Sequence, residues 1–246
     1  MNGNPDIVLV HGFWGGAAHW AKVIVELNRR GYDSLHAVEN PLTSLVDDAA
    51  RTAQMVQQID GPVLLVGHSY GGAVITEAGD LPNVVGLVYV AAFAPDAGES
   101  LGEIASWNAA AAAAAGNVEP DSDGYVWIKQ DKFRESFCQD LPADEALVMA
   151  VTQKAPVGST FGNNVSAPAW RQKATWYQVS ANDRMIHPDS QRRMAARMSP
   201  RRTIELDSSH ASLASQPDAI VDLIDDAVAE LRTGAGDATT APAASA

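Results

Sequence analysis

A serine that could act as a nucleophile, Ser69, lies between two apolar segments and has a glycine two residues away on each side. One apolar run ends at Gly67 and a second begins after Gly71. A strand that turns sharply into a helix holds its turn residue in a strained backbone, and side chains at the flanking positions would collide with the strand or the helix. The pattern therefore predicts a nucleophile elbow, which exposes the Ser69 hydroxyl and points the Tyr70 N–H toward the same place.

A nucleophilic serine needs a base, and we expect His210 to supply it. His210 follows the last predicted strand, and the chain order serine, acid, histidine is typical of one class of serine hydrolase. His187, in a loop between a strand and a helix, is a weaker candidate. We interpret the other histidines as structural or surface residues: His11, which we expect to brace the loop after the first strand, His19, His36 and His68.

The acid must accept the imidazole N–H of the base, so that the other ring nitrogen faces the serine. Asp183 follows the strand predicted from Trp176 to Ser180, which is the usual place for this acid. Asp96, after the strand from Val84 to Val90, is the alternative, because some members of the class carry the acid one strand earlier. We favour Asp183.

A tetrahedral oxyanion needs two fixed hydrogen-bond donors. The Tyr70 N–H is one candidate. The other is the Phe13 N–H, because Gly12 lets the backbone after the first strand bend close to the serine. We expect the substrate pocket to include Gly12 and to be walled by aromatic side chains, with core packing as an equally good interpretation of the aromatic residues: Trp14, Phe93, Trp107 and Trp127.

Apolar segments that alternate with helical ones predict an α/β architecture, a mostly parallel sheet of about six strands with helices on both faces. Residues 1–94 and 176–232 form this core. Residues 95–175 break the alternation and are rich in alanine, including seven consecutive alanines at 109–115, so we predict a helical cap over the sheet edge. Residues 233–246 contain few apolar side chains and predict a disordered tail.

Composition and charge exclude several classes of protein. The 246 residues carry a net charge of −13, which disfavours binding to nucleic acid. A single cysteine, Cys138, allows neither an internal disulfide nor a cysteine-based metal site. We recognise no leader sequence and no apolar run long enough to cross a bilayer, so we expect a cytoplasmic protein without membrane contact. The chemistry above requires no metal and no cofactor.

Four segments together resemble the α/β-hydrolase fold: His11-Gly12-Phe-Trp-Gly-Gly, Gly67-His-Ser69-Tyr-Gly-Gly, Asn182-Asp183-Arg184-Met-Ile and Ser209-His210-Ala-Ser-Leu. More narrowly, the chain is similar to the branch that includes plant methyl esterases, hydroxynitrile lyases and bacterial pyrethroid-hydrolase-like esterases. The resemblance covers most of residues 5–232. It implies a serine esterase that acts on a small, fairly apolar carboxylic ester through a Ser-His-Asp triad.

The chain departs from the lyases of this branch at two positions. Those lyases carry threonine in place of Gly12 and lysine in place of Ala211, and a cation is needed to stabilise departing cyanide. The departure favours hydrolysis, although Lys129 or Lys132 of the cap could supply a charge. The alternatives within the same fold are an acyl-homoserine-lactone hydrolase, a cofactor-free perhydrolase, a lyase and a non-catalytic small-molecule receptor. The oligomeric state is not predicted.

Overall fold

The first strand, β1 (Asp6–Val10), has four consecutive apolar residues that are all fully buried. Ile7 and Leu9 pack on one face of the sheet, whereas Val8 and Val10 pack on the other. An apolar run of this kind is expected where helices cover both faces of a parallel sheet. The computed structural model in which this is seen describes residues 4–108 and 116–238, with side chains as far as Thr233.

The main sheet has six parallel strands in the order β2-β1-β3-β4-β7-β8. This arrangement confirms the predicted α/β fold class. The carboxyl ends of the strands meet at one edge of the sheet, which is where ligands bind in such folds. The five strands other than β1 are β2 (Leu35–Val38), β3 (Val63–His68), β4 (Val84–Val90), β7 (Ala174–Ser180) and β8 (Arg202–Leu206).

Helices cover the two faces of the sheet. On one face, α1 (Ala21–Arg29) and α9 (Pro217–Ala238) enclose a core that contains Trp20 and Trp176. The helices of the other face contribute to the second core cluster: α2 (Leu45–Gln57), α3 (Gly71–Ala78) and α7 (Pro188–Met198). The short helix α8 (Ser212–Ser215) follows the loop that contains His210.

The cap contains short helices and also a β-hairpin that the sequence did not predict. Its helices are α4 (Leu101–Ala105), α5 (Phe133–Phe137) and α6 (Ala143–Val151), with 3-10 turns at Gln130–Lys132, Gly158–Gly162 and Ala169–Arg171. The hairpin pairs β5 (Val118–Pro120) with β6 (Val126–Ile128) in antiparallel orientation. Gly124, with φ of +84°, and the Asp121 carboxylate, which accepts the Tyr125 N–H, make its turn. The seven alanines lie outside the described residues.

Hydrogen bonds attach the cap to the loop that follows β1. The Trp14 N–H donates to the Lys154 carbonyl at 3.0 Å, and the Trp14 indole N–H donates to the Val126 carbonyl at 2.8 Å. The Lys154 ammonium also pairs with Glu39 at 2.9 Å. The cap is therefore held directly against the loop in which we expect one oxyanion donor.

The last helix is longer than predicted. It continues to Ala238, whereas the sequence analysis expected the helix to end near Leu231 and a disordered tail over 233–246; residues 239–246 lie outside the described part of the chain. The segment after Leu231 contains two alanines, which favour a helix, and two glycines, which do not. The Thr233 hydroxyl donates to the Glu230 carbonyl, a hydrogen bond within the helix. Among the described residues, we find no helix with both the length and the apolar content of a bilayer span.

Candidate active site

Ser69 lies in a strained turn between β3 and α3. Its φ is +56°, in the left-handed region that residues with a side chain rarely adopt. The turn is held from the neighbouring strand, because the Ser69 N–H donates to the Val90 carbonyl and the Phe93 N–H donates to the Ser69 carbonyl. A Cβ on Gly67 would lie 2.5 Å from the Gly71 carbonyl oxygen, so the tight turn requires glycine there. The local geometry is that of a nucleophile elbow.

His210 and Asp183 form a buried hydrogen-bonded pair at 2.7 Å, from the imidazole Nδ1 to the carboxylate Oδ2. The Asp183 carboxylate also accepts the N–H groups of Met185 and Ile186 and the side-chain amide of Gln191. These donors fix the orientation of the carboxylate. With Nδ1 donating to Asp183, the opposite nitrogen of His210 is left as an acceptor.

The second nitrogen of His210, Nε2, is buried and has no hydrogen-bond partner within the described residues. His68, the chain neighbour of Ser69, connects this histidine to the elbow: its Nε2 donates to the His210 carbonyl at 2.8 Å, and the two rings are 4.8 Å apart. An unpartnered acceptor in a buried imidazole is costly unless another group uses it. The arrangement suits a base that awaits a hydroxyl proton.

The alternative acid and base candidates have other partners. Asp96 forms an ion pair with Arg171 at 2.6 Å, at the edge of the cap. His187 caps the N-terminus of α7, where its Nδ1 accepts the Asp189 N–H. Within the described residues, neither Asp96 nor His187 takes part in a carboxylate–imidazole hydrogen bond like that between Asp183 and His210, so the geometry favours the latter pair for these roles.

The loop after β1 reaches the elbow through Gly12. A Cβ on Gly12 would lie 2.9 Å from the His68 carbonyl oxygen, so a side chain at this position would force the loop or the elbow to move. The next residue, Phe13, stacks its ring on that of Tyr70, with centroids 3.9 Å apart. Neither the Phe13 N–H nor the Tyr70 N–H donates a hydrogen bond within the described part of the chain. Both donors are therefore free to bind an oxyanion.

His11 braces this loop, as the sequence predicted. Its Nδ1 donates to the Gly12 carbonyl at 2.8 Å, and its Nε2 accepts the Asn40 N–H at 3.0 Å. Both ring nitrogens are used by the neutral form, and burial lowers the pKa of His11. The His11 ring thus connects the loop after β1 to the loop after β2 by hydrogen bonds.

His19 packs on the loop after β1, a contact that the sequence did not predict. A Cβ on Gly15 would lie 2.5 Å from its Nδ1, so the ring packs directly on the loop after β1. Burial, together with the charges of His11 and His210, lowers its pKa to about 4. No sequence pattern signals this contact, because the 3-10 turn at Ala17–Trp20 brings the ring back onto its own loop.

Among the predicted pocket walls, Trp14 and Phe93 are buried at the site, whereas Trp107 lies half-buried beneath the Arg193 guanidinium, 3.8 Å from its ring. Trp127 lies at the protein surface. Its side chain is 38% exposed, because Ile128, its neighbour on β6, faces the interior and successive strand residues face opposite sides.

The cap supplies two aromatic walls that the sequence did not identify. The Phe137 ring stands edge-on to His210 with centroids 4.8 Å apart, and Phe161 lies 4.8 Å from Phe13. Neither residue belongs to a motif, so only the folded arrangement of the cap could reveal them. Together they place apolar aromatic side chains of the cap against His210 and Phe13.

Comparison with known proteins identifies the family. Residues 7–223 match the family described as Alpha/beta hydrolase family. The alpha/beta hydrolase nvfD of Aspergillus novofumigatus is 27% identical, over 92% of this chain and 97% of its own length. Methylesterase 8 of Arabidopsis thaliana is 28% identical, over 87% and 86%. A carbendazim-hydrolysing esterase from Nocardioides is 33% identical, over 39% of this chain and 45% of its own length.

Solved structures agree on the fold. The pyrethroid hydrolase from Sphingobium faniae JZ-2 superposes with a TM-score of 0.74 at 22% identity, covering 90% of this chain and 96% of that one. Polyneuridine aldehyde esterase superposes with a TM-score of 0.78 at 17% identity, covering 92% and 100%. With relatives named hydrolases and esterases, the predicted fold and enzyme class are confirmed, and this chain belongs to the alpha/beta hydrolase family.

Proposed function

We propose that the protein hydrolyses small, fairly apolar carboxylic esters through an acyl-enzyme on Ser69. The observation that carries this proposal is the state of His210, whose Nδ1 is bonded to Asp183 while its Nε2 is buried and unpartnered beside the elbow. The Ser69 hydroxyl requires a proton acceptor, and His210 Nε2 is an acceptor without a donor, so we assign both to one site. The esterase names of several relatives support the same reaction class.

Acylation begins when His210 Nε2 takes the Ser69 proton and Ser69 Oγ attacks the ester carbonyl. The imidazolium is stabilised by Asp183, which also fixes the tautomer. The carbonyl oxygen becomes an oxyanion and is held by the N–H groups of Phe13 and Tyr70. His210 then donates its proton to the departing alcohol, which leaves Ser69 acylated.

Deacylation repeats these steps with water as the nucleophile. His210 takes a proton from water, hydroxide adds to the acyl carbonyl, and the second oxyanion occupies the same two N–H donors. Collapse returns the proton to Ser69 and releases the acid. The elbow needs no rearrangement between the two halves, because its backbone is held from the adjacent strand.

The walls of the site support an apolar substrate. Phe13, Phe137 and Phe161 surround the elbow and the base with aromatic side chains, and Ala211, next to the base, is buried and carries no charge. An uncharged acyl or aryl group gains free energy from burial in such surroundings, whereas a carboxylate would lose its hydration without a cation to replace it. Uncharged esters are therefore the proposed substrate class.

A fluorophosphonate probe combined with an ester assay tests the proposal. We expect stoichiometric labelling at Ser69, located by peptide mass spectrometry, and steady turnover of p-nitrophenyl acetate or butyrate. A small-molecule receptor with an intact triad would label but turn over poorly. Labelling at another residue, or no turnover of any simple ester, would contradict the proposed function.

A further inference from the structure

The side chain of Tyr70 is anchored at the elbow by a buried carboxylate. Its hydroxyl donates a 2.6 Å hydrogen bond to Asp48 Oδ2, and both side chains are fully buried. Burial raises the pKa of the Asp48 carboxyl, whereas hydrogen bonds from Tyr70 and from the Leu42 N–H oppose that shift. A buried carboxylate is costly unless it is well hydrogen-bonded, so this pair needs a reason beyond simple packing.

The Tyr70 ring connects the two proposed oxyanion donors. It stacks on the Phe13 ring with centroids 3.9 Å apart and planes 16° from parallel. Tyr70 follows β3 and Phe13 follows β1, so the stack joins the ends of two neighbouring strands. A tilt of the Tyr70 ring would therefore shift both residues whose N–H groups are to bind the oxyanion.

Asp48 also holds the loop that supports His11. Its Oδ1 accepts the N–H of Leu42 at 2.8 Å, and Leu42 adopts a left-handed backbone with φ of +64°. Two residues earlier, the Asn40 N–H donates to His11, which in turn bonds to the Gly12 carbonyl. One carboxylate thus fixes the oxyanion loop by two routes.

We propose that Asp48 and the Tyr70 side chain are positioning residues that set the geometry of the oxyanion hole. The inference rests on the proposed function, since it concerns the two donors assigned there. Neither the Asp48 carboxylate nor the Tyr70 hydroxyl touches the reacting atoms. They act through the N–H groups of Phe13 and Tyr70, so their loss affects the transition state more than the bound substrate.

Three variants test this role: Tyr70→Phe, Asp48→Asn and the double variant. Tyr70→Phe keeps the ring stack and removes only the hydroxyl. We expect kcat for p-nitrophenyl acetate to fall roughly ten- to a hundredfold with KM within about twofold, as for a small misplacement of catalytic groups. Because the Tyr70 hydroxyl acts through its hydrogen bond to Asp48, the double variant should be little worse than Asp48→Asn alone.

Tyr89→Phe is the matched control. The Tyr89 ring is as buried as that of Tyr70, and its hydroxyl bonds to Thr76 at 2.9 Å, away from the elbow. A general loss of stability would affect both tyrosine variants, whereas a positioning role predicts near wild-type kcat for Tyr89→Phe alone. If Asp48→Asn does not fold, the comparison of the two tyrosine variants decides the question.

Inhibition by phenylboronic acid gives a second measurement. Its tetrahedral adduct with Ser69 places a boron-bound oxygen in the oxyanion hole, so its Ki should rise in Tyr70→Phe in proportion to the loss of kcat/KM. Unchanged kcat and Ki in Tyr70→Phe, with an active wild type, would overturn the inference alone. An inactive wild type would overturn the proposed function and the inference with it.

Discussion

Gly12 lies so close to Ser69 that a Cβ on Gly12 would be 2.5 Å from the Ser69 Cβ and 3.0 Å from its Oγ. Real Cβ atoms do not approach other heavy atoms this closely, so one of the two segments would have to move. Ser69 is fixed by hydrogen bonds from β4 and the segment after it, and the loop after β1 is fixed by the cap. The absence of a side chain at position 12 is thus a requirement of the site.

Gly12→Ala should therefore remove most ester turnover while the protein stays folded. We expect kcat/KM for p-nitrophenyl acetate to fall at least about a hundredfold, because a displacement of about 1 Å at the reacting centre costs that much. Gly162→Ala is the matched control, since a Cβ at Gly162 meets no atom within 4 Å. Wild-type turnover by Gly12→Ala would show that this loop can move away from the serine.

The nucleophile and the base can be tested by deletion. Ser69→Ala and His210→Ala should each lower kcat by about a million-fold, since either member of such a pair is essential to the unit. His187→Ala removes the weaker candidate, which caps α7, and should retain activity. Rates are compared with p-nitrophenyl butyrate after circular dichroism has verified folding. Substantial turnover by Ser69→Ala would contradict the covalent mechanism.

The acid assignment predicts a large difference between two aspartates. Asp183→Asn keeps the shape of the side chain but holds the wrong imidazole tautomer, so kcat should fall by up to about ten-thousand-fold. Asp96→Asn disturbs only the ion pair with Arg171 and should be mild. Both variants are assayed on the same ester at one pH. The reverse result would place the acid after the earlier strand.

The elbow, the loop after β1 and the position of His210 at the same sheet edge could be predicted from the sequence, because each depends on a local pattern. Glycines at fixed offsets mark the turn at Ser69, and apolar runs mark the strands that bring His210 and Gly12 to one edge. The Tyr70–Asp48 hydrogen bond could not be predicted from the sequence, because it depends on how α2 packs on α3. No local signal encodes a contact of that kind.

The cap was the least predictable part for the same reason. Its short helices and hairpin bury few residues of their own, so periodicity is weak within each element. Phe137 contacts His210 although the two residues are far apart in the sequence, so only the fold of the cap brings them together. Trp127, another of the predicted walls, is exposed because its neighbour Ile128 takes the inward position on β6.

Acid should destabilise the fold through buried histidines. Burial lowers the pKa of His19 from 6.5 to about 4, and burial also lowers those of His11 and His68. Between pH 6.5 and about pH 4, the His19 side chain is protonated in the unfolded chain but not in the folded chain. The free energy of unfolding therefore falls as pH decreases through this window, by on the order of 3 kcal/mol for His19 alone.

His19→Gln should make that pH dependence shallower by about one proton. Urea unfolding between pH 7 and pH 4 measures it, with His36→Gln as the control because His36 lies at the surface of β2. Parallel curves for His19→Gln and the wild type would show that the His19 ring stays solvated enough to titrate normally.

The last prediction concerns reaction type, because related lyases stabilise departing cyanide with a cation. Ala211 is buried and offers none. The four lysines of the cap have other partners, which are the Gly116 carbonyl for Lys129, Glu135 for Lys132, Glu39 for Lys154 and the Leu81 carbonyl for Lys173. Among the described residues, neither Ala211 nor these lysines therefore supplies the charge that departing cyanide requires. We expect no mandelonitrile cleavage above background and clear turnover of simple aryl or alkyl esters at the same pH.

The two substrates are assayed on one purified sample, with benzaldehyde release followed for mandelonitrile. Ala211→Lys provides a second arm, since a lysine directly after the base would bring a cation toward the leaving group, at the cost of burying a charge in an apolar site. Lyase activity that appears only in Ala211→Lys would support the charge argument. Fast benzaldehyde release by the wild type with negligible ester hydrolysis would contradict it, and the cation would then be sought by replacing Lys129 and Lys132 in turn.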